Sequence, residues 1–183
     1  RKRVHPIEIL IALKTYSQGH GMRGSGQWTS VPAVVEALND AFYAAFGYIE
    51  PSRKRILYGI DTSGSMWWDS SMIRNTPLCA AEGAAVMAMA CARVENDYHI
   101  TAFSHEMRHI GITGKTRLDD ALGIMSTSGG GGTDCSLPML WAAKEKIHVD
   151  TFILLTDNET WAGNVHPSQA LAQYRKKSGI QNA

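Results

Sequence analysis

The chain has 183 residues and a mass of 20.0 kDa, with 44% hydrophobic and 19% charged residues, the balance of an ordinary globular chain rather than a disordered one. Its longest apolar run, Ala80 to Ala92, is interrupted by Glu82 and is too short for a membrane-spanning helix. The net charge of +1 is uneven: eight Lys or Arg stand against four acids up to Arg55, and ten against thirteen beyond it. That asymmetry can mark a nucleic-acid contact at one end, although by itself it is more simply a solvated basic helix face.

The start, Arg1-Lys2-Arg3, runs into His5, Pro6 and Glu8 with no apolar signal region, so a cytoplasmic protein that touches no membrane is expected. Cys79, Cys91 and Cys135 form no paired framework, which agrees with reduced thiols in that compartment. Residues 7–18 carry Ile7, Leu10, Ile11 and Tyr16 at helical spacing, with Pro6 suited to the first turn. Four glycines between Gly19 and Gly26 predict a loop. A second helix is predicted from Pro32 to Phe46, with Val35, Leu38, Phe42 and Phe46 on one stripe.

After Pro51 the pattern changes. Arg55 to Asp61 reads as a central strand covered on both faces, and Ala80 to Val94 as a small-residue helix. Strands are predicted at Tyr98 to Phe103, Met107 to Ile112 and Thr151 to Thr156. Helices are predicted at Leu118 to Met125, Ser136 to Lys146 and Ser168 to Lys177. Strands alternating with helices imply an α/β fold, a Rossmann-like, mostly parallel sheet flanked by helices, with ligands at the C-terminal strand ends.

Oxygen-rich strings sit at those ends. Asp61-Thr62-Ser63-Gly64-Ser65 follows the first core strand, Thr133 follows the glycine run 129–132, and Asp157 follows the last strand. Asp61, Ser63, Ser65, Thr133 and Asp157 offer two carboxylates and three hydroxyls, with Asp157 expected to act through water. Hard donors of this kind suit Mg²⁺ or Mn²⁺ and disfavour zinc. Each string alone could be a turn or a helix cap; together they resemble the metal-ion-dependent adhesion site (MIDAS) of von Willebrand factor A domains.

Longer strings resemble the Ro autoantigen (TROVE) family over essentially the whole chain. They are Val4-His5-Pro6, Gly19-His20-Gly21-Met22-Arg23-Gly24, Gly131-Gly132-Thr133-Asp134-Cys135-Ser136-Leu137-Pro138-Met139, Thr156-Asp157-Asn158-Glu159-Thr160, Val165-His166-Pro167 and Tyr174-Arg175-Lys176-Lys177. The resemblance implies that residues 1–50 match the last helices of a HEAT-like helical ring and residues 51–183 a von Willebrand A-type domain. It implies a non-enzymatic protein that binds small noncoding Y-type RNA and misfolded RNA in RNA quality control. Phosphate contacts would come from Arg1, Lys2, Arg3, Lys14, His20 and Arg23. The family continues into further strands, so the resemblance implies an A domain incomplete at the C-terminus, with Thr151 to Thr156 as a sheet edge, either because this is a fragment or because another chain supplies the neighbour. The competing functional class is a metal-dependent, adhesion-type domain that takes a protein ligand at the metal face and has no RNA role.

Two strings imitate enzymes. His105-Glu106-Met107-Arg108-His109 matches a zinc-protease motif, but that chemistry needs a helix and the context is strand and turn. Gly111 to Thr116 resembles a phosphate loop whose first glycine is replaced by His109. Trp67, Trp68 and Trp161 follow the metal strings and belong either to the core or to a stacking surface.

Overall fold

The computed structural model describes residues 4–67, 72–73, 75–127, 130–157, 160 and 162–183. Arg1, Lys2, Arg3, Trp68, Gly129, Asn158, Glu159 and Trp161, all singled out above, lie outside the described residues.

Helix α1 (Pro6–Ser17) begins on Pro6 and is capped by His5, whose Nδ1 accepts the Ile7 amide at 3.2 Å. The glycine-rich segment after it is a small hairpin. His20 bridges to Gln27, and the Trp28 amide donates to the Gly19 carbonyl at 2.8 Å. Gly19 has φ +78°, and a Cβ there would lie 2.8 Å from the Trp28 carbonyl oxygen, so the closure demands glycine. Trp28 stacks on Tyr16 and donates its indole N–H to the Tyr16 carbonyl at 2.9 Å.

Helix α2 (Pro32–Ala45) buries Phe42 and Ala45, and Phe46 follows it into the core. Val35 and Leu38, expected on the same buried stripe, are only half-buried. The first half of α2 borders a cavity of about 1020 Å³ shared with α1, α3 (Ala80–Val94) and α4 (Leu118–Thr127), so Val35 has no close partner layer there. The helical segment is nonetheless fastened to the sheet domain. The Arg93 guanidinium lies over the rings of Tyr43 and Phe46, 4.9 and 5.4 Å from their centroids, and the Leu118 amide donates to the Tyr43 hydroxyl at 3.1 Å. Lys14 pairs with Glu82. One hydrophobic cluster joins Leu10, Phe42 and Phe46 to α3, α4 and one sheet face.

The sheet runs β3-β2-β1-β4, with β1 (Ile56–Asp61) parallel to both β2 (Tyr98–Phe103) and β4 (Thr151–Leu155). Strand β3 (Met107–His109) pairs antiparallel with β2, so the sheet is mostly parallel and mixed. Every residue of β1 is buried. Ile56, Tyr58 and Ile60 face α3 and α4, while Leu57 faces α5 (Leu137–Glu145) and α6 (Pro167–Ser178). Gly59 admits the close approach of α5, since a Cβ there would meet Pro138 Cγ at 2.7 Å. Strand β3 is shorter than expected: Ile110 and Ile112 leave the pairing and turn into the core as the chain bends toward α3. Among the described residues β4 pairs only with β1 and is half-buried throughout.

Arg55 and Asp150 tie the starts of β1 and β4. The Arg55 amide and Nε donate to Asp150 Oδ2 at 2.9 and 3.0 Å, and Nη2 donates to Oδ1 at 2.5 Å. The guanidinium bonds, then the amide, hold the Asp150 carboxyl down at about 2. Because the folded value lies below the unfolded one, the stabilisation is complete above about pH 4 and is lost as the pH falls through about 2. Asp150→Asn should cost about 1 kcal/mol at neutral pH, a modest value because the pair is partly exposed. It should also flatten the fall in urea-measured stability between about pH 4 and 2. Identical acid limbs for parent and variant would show that the pair contributes nothing.

Candidate metal centre

Asp61 is the last residue of β1, and the chain then makes a tight 3₁₀ turn at Gly64–Trp67. Asp61 is fully buried. Its Oδ1 accepts the Ser63 amide at 2.8 Å, and its Oδ2 accepts the Thr156 hydroxyl from beyond β4 at 2.7 Å. Ser63 Oγ and Ser65 Oγ are 3.1 Å apart, and Ser65 Oγ donates to Asp157 Oδ1 at 3.2 Å. Four of the five expected ligands, Asp61, Ser63, Ser65 and Asp157, therefore belong to one hydrogen-bonded chain at the C-terminal ends of two adjacent parallel strands.

Thr133 arrives with a third loop. The Gly130 amide donates to the Thr62 carbonyl and the Asp134 amide to the Ser104 carbonyl, both at 2.9 Å, which holds residues 130–134 against the ends of β1 and β2. The Thr133 carbonyl accepts the Ala162 amide and the Thr160 hydroxyl, and Thr160 Oγ1 also accepts the Cys135 amide at 3.1 Å. Asp134 Oδ1 accepts the Ser136 amide and hydroxyl at 2.9 and 2.6 Å, while a Cβ on Gly163 would fall 2.2 Å from Asp134 Oδ2. Sequence reading missed Thr156, Thr160 and Gly163. Thr156 and Thr160 stood only as members of the string after β4 and Gly163 in no string at all, because their partners lie far away in sequence.

The donor set fits a hard divalent cation. Asp61 and Asp134 are buried carboxylates, and none of the ion pairs formed among the described residues includes Asp61, Asp134 or Asp157. Negative charge buried without a cationic partner is costly unless a cation joins it. The five expected ligands offer three hydroxyls and two carboxylates, Asp61 and Asp157, with no imidazole or thiolate, which is a hard-donor set. Asp157 is exposed, which leaves the centre open on its outer side. Cys135 lies close by as a buried thiol, its pKa raised by burial and then by the charge of Asp61.

The enzyme-like strings take up other work. Residues 105 and 106 form the turn before β3. His105 lies against the glycine loop, Glu106 pairs with Arg108, and His109 packs tilted on Trp141 at 5.7 Å, so the three side chains have separate surroundings. Gly114 is pressed on α3, where a Cβ would meet the Ala92 carbonyl oxygen at 2.7 Å, and Arg93 donates to the carbonyls of Gly114 and Thr116. This loop is a packing device between α3 and α4.

Of the expected phosphate contacts, His20 and Arg23 sit in the hairpin, where Arg23 donates to Asn75 Oδ1 at 2.6 Å. Lys14 is turned toward Glu82 at the cavity, so it stands apart from them. Trp67 is half-buried with its indole N–H in the interior.

A mostly parallel sheet whose strand ends gather Asp-x-Ser-x-Ser, a loop threonine and a second aspartate defines a von Willebrand factor A-type domain. The family model described as "Ro60 vWA domain" matches residues 55–183. The chain belongs to that family. It is 44% identical over 180 residues to the RNA-binding protein RO60 of Deinococcus radiodurans, covering 98% of this chain and 34% of that protein. It is 36% identical over 183 residues to the RNA-binding protein RO60 of Caenorhabditis elegans, covering 100% of this chain and 28% of that one. The crystal structure of the Deinococcus radiodurans RO (RSR) protein superposes with a TM-score of 0.84 at 41% identity, over 97% of this chain and 36% of the other. The chain thus spans about a third of the length of the relatives it matches.

Proposed function

We propose that this chain is the metal-binding A-type domain, with its abutting helical segment, of a cytoplasmic Ro-like protein that binds Y-type small noncoding RNA and takes part in RNA quality control. The observation that carries this reading is that the similarity to proteins named as RNA-binding extends through the N-terminal helices as well as the A domain. The reading is non-enzymatic: the side chains bind and orient, and none is assigned a covalent step. Asp61, Ser63, Ser65, Thr133 and Asp157 would hold Mg²⁺ or Mn²⁺, which supplies an electrophilic point for an anionic group. Arg23 presents positive charge, and His20 a hydrogen-bonding ring, in the hairpin that leads into the Tyr16–Trp28 stack, a combination suited to a nucleic-acid strand.

Recovery of the protein from its own cells, with the co-purifying RNA sequenced, should return small structured noncoding RNAs. In mobility shifts with such an RNA, Arg23→Gln should reduce the salt slope of log K by about 0.7 to 0.9. No RNA recovered, and no salt-dependent shift, would defeat the reading. The exposed Asp157 supports a second reading, a carboxylate-bearing protein ligand at the metal face. Capture of a protein that is lost on Asp61→Ala, without RNA, would establish it instead.

A further inference from the structure

The family string Tyr174-Arg175-Lys176-Lys177 takes no part in the metal centre, and its place in the fold suggests a separate role. Tyr174 is fully buried on α6, where its hydroxyl accepts the Val149 amide at 2.6 Å and donates toward the Ile147 and Val149 carbonyls. That anchor holds the loop leaving α5 beside the last turn of α6 and encloses a concavity of about 370 Å³. Its floor is apolar, from Ala142, Ile147 and Tyr174, and its border carries Lys146, His148 and Lys177. Lys144 and Lys176 extend the positive charge, all five basic side chains are exposed, and Glu145 is the acid among residues 144–148 and 175–177. Among the described residues the sole ion pair in this patch is Lys144 with Glu145, at 3.9 Å.

Cations at helix C-termini offset the helix dipole, and Lys176 and Lys177 need nothing more than that. Lys146 is different. It lies past the last turn of α5 in the left-handed region, φ 58° and ψ 34°, with its amide donating to the Ala142 carbonyl. At the corresponding position α6 has Gly179, φ 77°. Glycine takes this conformation without strain and a lysine does not, so Lys146 keeps a charge at the border at a cost to stability.

We infer that the concavity between the ends of α5 and α6, bordered by Lys146, His148 and Lys177, binds the phosphate backbone of RNA, as a contact separate from the metal face. The inference rests on the RNA-binding reading above. Flexible, exposed lysines act as point charges that recognise phosphate without reading sequence.

The test is fluorescence-anisotropy titration of the full protein with a labelled oligouridylate across a salt series. The Lys146→Gln/Lys177→Gln double variant should show a salt slope of log K smaller by about 1.4, two single-strand phosphate contacts, while Lys115→Gln on an exposed loop elsewhere leaves it unchanged. Lys146→Gly should bind RNA more weakly and yet melt higher, by about 2 °C. A lysine with only a structural role would not separate those two readouts. If the parent binds no RNA, the functional reading itself fails. If the parent binds and Arg23→Gln lowers the slope but the double lysine variant does not, this patch alone is refuted. Displacement of the RNA by polyglutamate as readily as by unlabelled oligouridylate would assign the patch to an acidic protein and overturn the inference.

Discussion

Asp61→Ala is expected to abolish the response of the protein to Mg²⁺ and Mn²⁺ while leaving it folded. The carboxylate is fully buried at the end of β1, and its two oxygens gather the Ser63 amide and the Thr156 hydroxyl. Those bonds shape the loop that presents Ser63 and Ser65, so the variant loses both a charged donor and the geometry of its neighbours. A ligand that binds only the folded state stabilises it by about 2.7 kcal/mol at a hundred times its Kd, about 5–10 °C for a chain of this size. That shift should be present in the parent and absent in Asp61→Ala. Without metal, the variant leaves the Ser63 amide without its carboxylate acceptor, at about 1–3 kcal/mol, but it also removes a buried charge that forms no ion pair among the described residues. The two effects oppose, and the metal-free melting temperatures should lie close together. Calorimetry giving the same Mn²⁺ affinity for both proteins would remove this site.

Tyr174→Phe should produce the largest loss of stability from a single oxygen atom. The ring is kept, with its edge-on contact to Phe152 at 4.8 Å, so no cavity forms. What disappears is a hydroxyl bonded to the backbone on both sides of His148. The buried Val149 amide loses its acceptor, and two carbonyls lose a donor. An orphaned buried amide costs about 1–3 kcal/mol and a lost hydrogen bond about 1 more, so the expected destabilisation is about 3 kcal/mol in urea unfolding. The m-value should not change, because the unfolded chain exposes the same surface. A loss below about 0.5 kcal/mol would mean that water replaces the hydroxyl, contrary to the burial of the site.

The sequence by itself determined the elements and the chemistry of the strand ends. Apolar runs and helical spacing depend on neighbouring residues, so β1, α3 and β4 could be read directly, and the oxygen-rich strings could be seen because each is continuous in the chain. Membership of the A-type fold followed from their order. Only the tertiary structure decided how those strings meet. Thr156 and Asp61 are separated by 95 positions, and no local pattern records a hydroxyl closing on a carboxylate across two strands. The same holds for Thr160, which bridges the Thr133 carbonyl to the Cys135 amide. Tertiary packing also drew Ile110 and Ile112 away from β3 and turned Lys14 toward Glu82, away from the hairpin of His20 and Arg23. It placed a lysine in a left-handed position at the end of α5, which composition cannot show, because backbone torsion at a helix end is settled by where the following chain must go.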